Sequence, residues 1–342
     1  MDMTQMPEYD NHARVVQIED KNTGLKAVIS LHRNGKFKHA FGATRIWNYG
    51  SMEEALKDSM KLSKIMSYKC ALAGINYAGA KGVIITPENP KDRQAQLEVY
   101  LKEVNKLKGA FITGADVGIS PQDVKWMRER SPYVVGVHVD PVRHTVEGIY
   151  YAMQVALDEV FGSKEVSKRS FAIQGLGKIG SGLLNILYKN GATIYATDVN
   201  EETVKKIQSK YPNIKIVAPD EIHSLEVDVF SPCALSNCIN HKTVHEIKSP
   251  IVLGGANSQL ESDEMGEILH ERGILYGPDY VVNAGGIISV VCEFENENFY
   301  HEIIAERVKN IANTLKDIIQ MSKMEKKAIS KVANEHAKKI IG

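Results

Sequence analysis

Neither sign of charge is in excess in this chain: Lys plus Arg and Asp plus Glu number 42 each. With no net field to draw in phosphate backbones or anionic lipid, nucleic acid and membrane surfaces are poor expected partners. Cysteine is scarce, at four residues, Cys70, Cys233, Cys238 and Cys292. None form a C-x-x-C pair, and no His/Cys cluster has zinc-finger spacing, which argues against a disulfide framework and a resident metal. No apolar run approaches the ~18 residues that a membrane-spanning helix needs. The first thirty residues are polar and lack the apolar core of a secretion signal. A cytoplasmic protein with free thiols is the expectation that remains.

What is present is an ordinary globular composition, 43% apolar and 25% charged over 342 residues, long enough for two domains. Residues 12–48 read as strands, RVVQIED, LKAVISLH and FKHAFGATRIW, broken by Asn-Thr-Gly and Asn-Gly turns. Ser51 and Glu54 offer a capping box, and Met52, Ala55, Leu56, Ser59, Leu62, Met66 and Cys70 follow at helical spacing to about residue 72. KGVIIT (81–86) is a short strand after a glycine-containing loop, 92–109 a helix closed by Gly109, FITGAD a strand, and Ser120-Pro121 a helix start. After residue 145 the texture changes. A helix over 145–161 leads to SFAIQG, then ATIYATD, IKIV, DVFSPC, PIVLGG and ILYGPDY alternate with helices. Short apolar strands alternating with helices predict a doubly wound parallel sheet. Residues 299–342 form a helical tail rich in Lys and Glu. The expected fold is therefore α/β, with a domain boundary near 135–145.

Phe171-Ala-Ile-Gln-Gly175-Leu-Gly177-Lys-Ile-Gly180 is G-x-G-x-x-G between an apolar strand and a helix. Gly175 permits the tight turn, Gly177 lets the backbone approach a pyrophosphate, and Gly180 lets helix and strand pack closely. The helix N-terminus adds unpaired N–H groups and a positive dipole end. The next strand ends in Asp198, 18 residues beyond Gly180, where a carboxylate can accept ribose hydroxyls. Strand, glycines, helix, strand and acid in this order predict dinucleotide binding. Asp198 favours NAD over NADP, because a 2′-phosphate would face a like charge.

Lys69 ends the 51–72 helix, Lys81 follows Tyr-Ala-Gly-Ala, and Asp116 follows the strand FITGA. A lysine among Gly and Ala before an apolar strand is oddly placed for a surface residue; apolar surroundings disfavour its charge and suit it to acid–base work. Spacing alone does not separate these lysines from ordinary solvated ones.

The blocks EEALKDSMKLSKIMSYKCALAGINYAGAKGVIITP, FITGADVG, FAIQGLGKIG, FSPCAL, GGANSQL and PDYVVNAGG resemble the Glu/Leu/Phe/Val dehydrogenase family, nearest its leucine and phenylalanine branch, from about residue 10 to about 310. The resemblance implies an N-terminal substrate-binding, catalytic and oligomerisation domain with a mixed sheet (1–140) and a Rossmann NAD-binding domain (141–319), with a cleft between them. It also implies that a C-terminal helix (320–342) packs back on the first domain. It implies that Lys69 grips the substrate carboxylate, that Lys81 and Asp116 are catalytic, and that Asn283 helps hold the amino acid. Phe41, Gly114, Ile287 and Val290 match side-chain pocket positions. On the cofactor side it implies Asn257 beside the nicotinamide ribose and Thr145 on the carboxamide. Lys178 and Ile179 in the glycine loop and Cys233 and Ala234 in FSPCAL join them. The implied protein is a homo-oligomeric enzyme that takes an amino acid to its 2-oxo acid and ammonium with NAD.

Three departures from the family pattern stand out. Ala78-Gly79-Ala80-Lys81 replaces Gly-Gly-Gly-Lys, Pro141-Val142-Arg143-His144 replaces Pro-Ser-Pro, and Val146 replaces an alanine. No pocket position carries a cation for a side-chain carboxylate, so glutamate is an unsuitable substrate. Leucine or another branched-chain amino acid leads. A phenylalanine or tryptophan dehydrogenase is the alternative, since Gly114 in place of alanine opens room and Phe41 could stack on a ring. A catalytically inactive NAD-binding homologue is the third reading, supported only by the altered 141–146 segment.

Overall fold

The computed structural model describes residues 3–32, 36–87, 89, 93–234, 236–295 and 300–342. The Asn34-Gly35 turn, Asp92 at the start of the second helix, Leu235 of FSPCAL and Phe299 of the tail lie outside the described residues. The chain divides into two compact units: residues 1–139, 289–300 and 337–342, and residues 140–288 and 301–336.

The first unit holds β1 (His12–Asp20), β2 (Leu25–His32), β3 (Ala40–Phe41), β4 (Thr44–Trp47), α1 (Met52–Leu72), β5 (Ala78–Ile85), α2 (Arg93–Lys106), β6 (Phe111–Ile112) and α3 (Pro121–Arg128). Its sheet is mixed, in the order β1-β2-β5-β3-β6 with β4 also on β5; β1, β2 and β5 pair antiparallel, and β3, β4 and β6 run parallel to their neighbours. Both faces are covered. Ala27, Ile29, Leu31, Ala80 and Ile84 pack with Leu97, Tyr100 and Leu101 of α2 and with Val124 and Met127 of α3. Val28 and Val83 pack with Ala55, Leu56 and Met60 of α1. Two covered faces explain why β2 and β5 read as nearly continuous apolar runs.

Local signals set the helix ends. Ser51 Oγ accepts the Glu54 N–H at 3.1 Å, as a capping box requires, but Glu54 reaches back to Gly50 N (2.8 Å) instead of Ser51. At α3 the reciprocal box of Ser120 and Asp123 is complete. The predicted strand 37–47 is two strands, β3 and β4, separated at Gly42, where a Cβ would collide with the Ala80 carbonyl. The strand expected from Lys81 starts three residues earlier, at Ala78, so Lys81 lies inside β5, and Gly79 lets this strand press directly on α1.

The second unit holds α4 (Pro141–Phe161), β7 (Ser170–Gln174), α5 (Lys178–Lys189), β8 (Thr193–Thr197), α6 (Glu201–Lys210), β9 (Lys215–Ile216), β10 (Val229–Pro232), α7 (Thr243–Glu246), β11 (Ile251–Val252), α8 (Asp263–Glu271), β12 (Leu275–Tyr276) and α9 (Asp279–Val282). Then come α10 (Gly285–Glu295), whose last residues belong to the first unit, α11 (Tyr300–Lys309), α12 (Ile311–Glu325) and α13 (Ile329–Ile341). The sheet is wholly parallel, ordered β12-β11-β10-β7-β8-β9. Counted from β7, this is the 3-2-1-4-5-6 order of a Rossmann sheet, and its direction reverses between β7 and β10. Helix α4 begins four residues earlier than its periodicity suggests, because Asp140 caps it, accepting the Arg143 N–H at 3.0 Å, and Pro141 suits the first turn. Among the described residues no helix is long and apolar enough to cross a membrane.

Candidate active site

In the first unit, side-chain alternation along β5 decides which residues face α1. Ala80 and Ile84 point to the α2 face and Val83 to the α1 face, so Lys81 shares the α1 side with Gly79. Gly79 N donates to Ser67 Oγ at 2.8 Å, and a Cβ on Gly79 would collide with backbone atoms of Ser67 and Ser63. Lys69 and Lys81 each lie two residues beyond this contact, and both are buried, at 9% and 6% exposure. Ser59 Oγ, also on α1, donates to the Lys81 carbonyl at 3.0 Å.

The Lys81 ammonium is ion-paired with Asp116 Oδ2. Asp116 follows β6, in a turn where Ile119 N donates to its carbonyl at 3.0 Å. Burial alone would raise its carboxyl, but the charges of Lys81 and Arg45 outweigh that and hold it at about 2. Arg45 was not singled out from the sequence. Its Nε donates to Asp116 Oδ2 at 3.1 Å and its Nη1 to Asp58 Oδ2 at 3.3 Å, and Tyr49 Oη donates to the same Asp58 oxygen at 2.5 Å. Burial and this bond to Asp58 push the Tyr49 hydroxyl well above its ordinary range. Burial opposes the Arg45 charge, yet the two carboxylates raise it further. The one available signal was an arginine between Thr44 and Ile46, two strand residues buried on the opposite face.

Among the side-chain pocket positions, Phe41 is fully buried, its ring 4.8 Å from that of Tyr77 and 5.3 Å from that of Phe294. The methyl that Gly114 lacks would sit 3.1 Å from the Val135 carbonyl oxygen. Val290 lines the same unit, 3.6 Å from where a Cβ of Gly136 would stand. Ile287 is buried in the second unit. Glu293, also absent from the sequence reading, accepts the N–H groups of Gly136, Val137 and His138 at 2.7, 3.1 and 3.2 Å. Nothing in a lone glutamate near the end of a helix announces that role.

In the second unit, the glycine loop follows β7. Gly175 has φ +94°, and a Cβ there would meet Ala234 at 2.6 Å; one on Gly180 would collide with the Gly175 carbonyl and lie 3.2 Å from Cys233. A Cβ on Gly177 would meet nothing within 4 Å. Gly175 and Gly180 are thus demanded by the fold, whereas Gly177 leaves open space at the helix N-terminus. Lys178 there is exposed and Ile179 half-buried. Asp198 Oδ2 accepts the Leu176 N–H at 2.7 Å and Oδ1 the Asn200 N–H at 2.9 Å, so the acid ties the second strand to the loop. Cys233 N donates to the Gln174 carbonyl at 2.8 Å, and burial pushes the thiol up. Asn283 Nδ2 donates to Asn257 Oδ1 at 2.9 Å. Asn283 Oδ1 and Gln174 Oε1 are buried without a hydrogen-bond partner. Thr145, in the second turn of α4, donates to the Pro141 carbonyl at 2.7 Å, and Arg143 and His144 both address Glu147. Among the described residues no group of three His, Cys, Asp or Glu is placed to hold a metal.

An open glycine at a helix N-terminus, at the point where the strand order of a parallel sheet reverses, marks a dinucleotide-binding protein. Residues 12–133 match the model for the Glu/Leu/Phe/Val dehydrogenase dimerisation domain, and residues 194–341 that for glutamate/leucine/phenylalanine/valine dehydrogenase. Leucine dehydrogenase of Bacillus cereus is 36% identical over 326 residues, covering 94% of this chain and 88% of the relative. Phenylalanine dehydrogenase of Caldalkalibacillus thermarum is 37% identical over 336 residues, covering 95% and 89%. The crystal structure of L-tryptophan dehydrogenase from Nostoc punctiforme superposes with TM-score 0.81 at 35% identity, covering 96% of each chain. The chain belongs to the Glu/Leu/Phe/Val dehydrogenase family and is an oxidoreductase of the amino-acid dehydrogenase type.

Proposed function

We propose that this protein catalyses reversible, NAD-dependent oxidative deamination of an apolar L-amino acid, foremost a branched-chain one such as leucine, to the 2-oxo acid and ammonium. The ion pair of buried Lys81 with half-buried Asp116 carries this reading, because deamination needs an acid and a base held together, with the lysine withdrawn from bulk water. Lys69, buried on the last turn of α1, holds the substrate carboxylate. The nicotinamide supplies one thing, a hydride acceptor for the Cα–H. Lys81, after its ammonium has passed a proton to solvent, takes a proton from the water that attacks the resulting iminium. Asp116 carries protons to and from the amino nitrogen, and Asn283 orients the amino acid.

The chain's own residues fit the cofactor. Gly177 leaves room that a pyrophosphate can take, and the unpartnered oxygens of Asn283 and Gln174 are acceptors for amide or hydroxyl donors. Asn257 and Thr145 join them at the nicotinamide end; Lys178, Ile179, Cys233 and Ala234 line the glycine turn. Asp198 is followed by Val199-Asn200-Glu201-Glu202, with no cation for a 2′-phosphate, which supports NAD over NADP. Phe41, with Tyr77 and Phe294 against its ring, fills space instead of offering a stacking face, and the Gly114 position borders backbone. Both observations favour a branched-chain over an aromatic side chain. We further place the protein as a homo-oligomer in the cytoplasm, acting without nucleic acid or membrane.

Initial rates of NAD and NADP reduction over a panel of L-amino acids test this. Turnover is expected with NAD and greatest with leucine, valine or isoleucine; preference for phenylalanine or tryptophan overturns the side-chain assignment, and NADH binding without any turnover overturns the activity. Lys81→Ala is expected to abolish turnover while NADH still binds.

A further inference from the structure

Behind the Lys81–Asp116 pair stand three side chains that the reaction just described does not use. Arg45 on β4 lies on the α1 face of the sheet, since its neighbours Thr44 and Ile46 point to the other. β4 and β5 pair in parallel, with Arg45 opposite Val83, so β4 presents the guanidinium beside the Lys81 strand. Its Nε donates to Asp116 Oδ2, the same oxygen that Lys81 addresses, and its Nη1 reaches Asp58 Oδ2. Asp58 sits on α1 beside Ser59, which holds the Lys81 carbonyl, and Tyr49 donates to Asp58 at 2.5 Å. One guanidinium thus bridges two carboxylates, one fixed by a helix and a tyrosine, the other shared with the lysine.

We propose that Arg45, anchored by Asp58 and Tyr49, is a positioning residue that holds the Asp116 carboxylate in one orientation throughout the reaction cycle. This rests on the deamination reading above. Its physical basis is the difference between the two cations on Oδ2. Lys81 must give up its proton to act as a base, and at that moment it no longer neutralises Asp116. Arg45 stays charged at any working pH, so the half-buried carboxylate keeps a partner and does not turn away. A lysine at position 45 would keep the charge but, as a single ammonium, lose the planar fork that spans Asp116 and Asp58.

The test compares wild type with Arg45→Gln and Arg45→Lys on three readouts: kcat against KM for the amino acid, the acid limb of the kcat/KM–pH profile, and the Asp116 carboxyl titration followed by 13C NMR, assigned with Asp116→Asn. Both variants are expected to lose about 100-fold in kcat, the scale of a misplaced catalytic group, with KM little changed. In Arg45→Gln the Asp116 titration and the acid limb are expected to move up by about one pH unit or more, and in Arg45→Lys by less. Added guanidinium is expected to restore part of the Arg45→Gln rate. Wild-type kcat in either variant, or an Asp116 titration in Arg45→Gln that coincides with wild type, overturns the proposal. Should Arg45→Gln fail to fold, Arg45→Lys decides on kcat. If wild type itself turns over no amino acid, the deamination reading falls, and the Asp116 titration alone judges Arg45.

Discussion

A carboxylate removed from water ordinarily holds its proton more tightly, yet Asp116 titrates near 2, because two cations share one of its oxygens. A depressed acid stabilises the folded state above its unfolded value, near 4, and that contribution is lost as pH falls through the folded value. Over this window the pair contributes about 2 kcal/mol of pH-dependent stability. In urea titrations, the stability gap between wild type and Asp116→Asn is therefore expected to be widest above pH 4 and to narrow towards pH 2. A gap independent of pH would mean that Asp116 is not held by its charges. Lys81 and Asp116 were both legible in the sequence, through their neighbours and the family resemblance. Arg45 and Glu293 were not. Each acts through residues about 70 or 150 positions away, and no local pattern records such a partner.

At the level of elements, the three glycines of the G-x-G-x-x-G turn look alike in the sequence and differ in their surroundings. Gly177 borders open space and has ordinary backbone angles, whereas Gly180 packs against the Gly175 carbonyl. Gly177→Ala is expected to keep thermal stability within about 0.5 kcal/mol and to weaken NADH binding. Gly180→Ala is expected to lower stability by about 1–3 kcal/mol, because backbone must move. Thermal melts with and without NADH separate the two; equal effects on folding would contradict the packing described. Caps and turn residues predicted the starts of α1 and α3 to the residue. Strand lengths were less legible: FITGAD yields only Phe111–Ile112 as strand, and FKHAFGATRIW breaks at Gly42. Beyond Ile112 the segment pairs only through single bridges, Thr113 with Val134 and Ala115 with Thr44, and propensity does not report which partner lies within reach.

Across the whole chain, two units are built from stretches that are not contiguous in sequence. In the first, apolar side chains pack on both sides of the mixed sheet; in the second, they pack against the parallel sheet. The match of residues 12–133 to a family dimerisation domain supports association of chains. Sedimentation equilibrium is accordingly expected to give a mass that is a multiple of the 38.0 kDa chain, and a mass of one chain would refute the homo-oligomer.

The strand–helix alternation, the glycine turn with its terminal acid and the capping residues were determined by the sequence itself, because each depends on neighbours within a few turns of chain. Tertiary structure alone decided that Lys69 and Lys81 are buried, that Arg45 and Lys81 share one oxygen of Asp116, and that Gly177 faces open space while Gly180 does not. The reason is physical: local signals act through backbone geometry and short-range hydrogen bonds, whereas charge pairing and steric room depend on which distant segments the folded chain brings side by side.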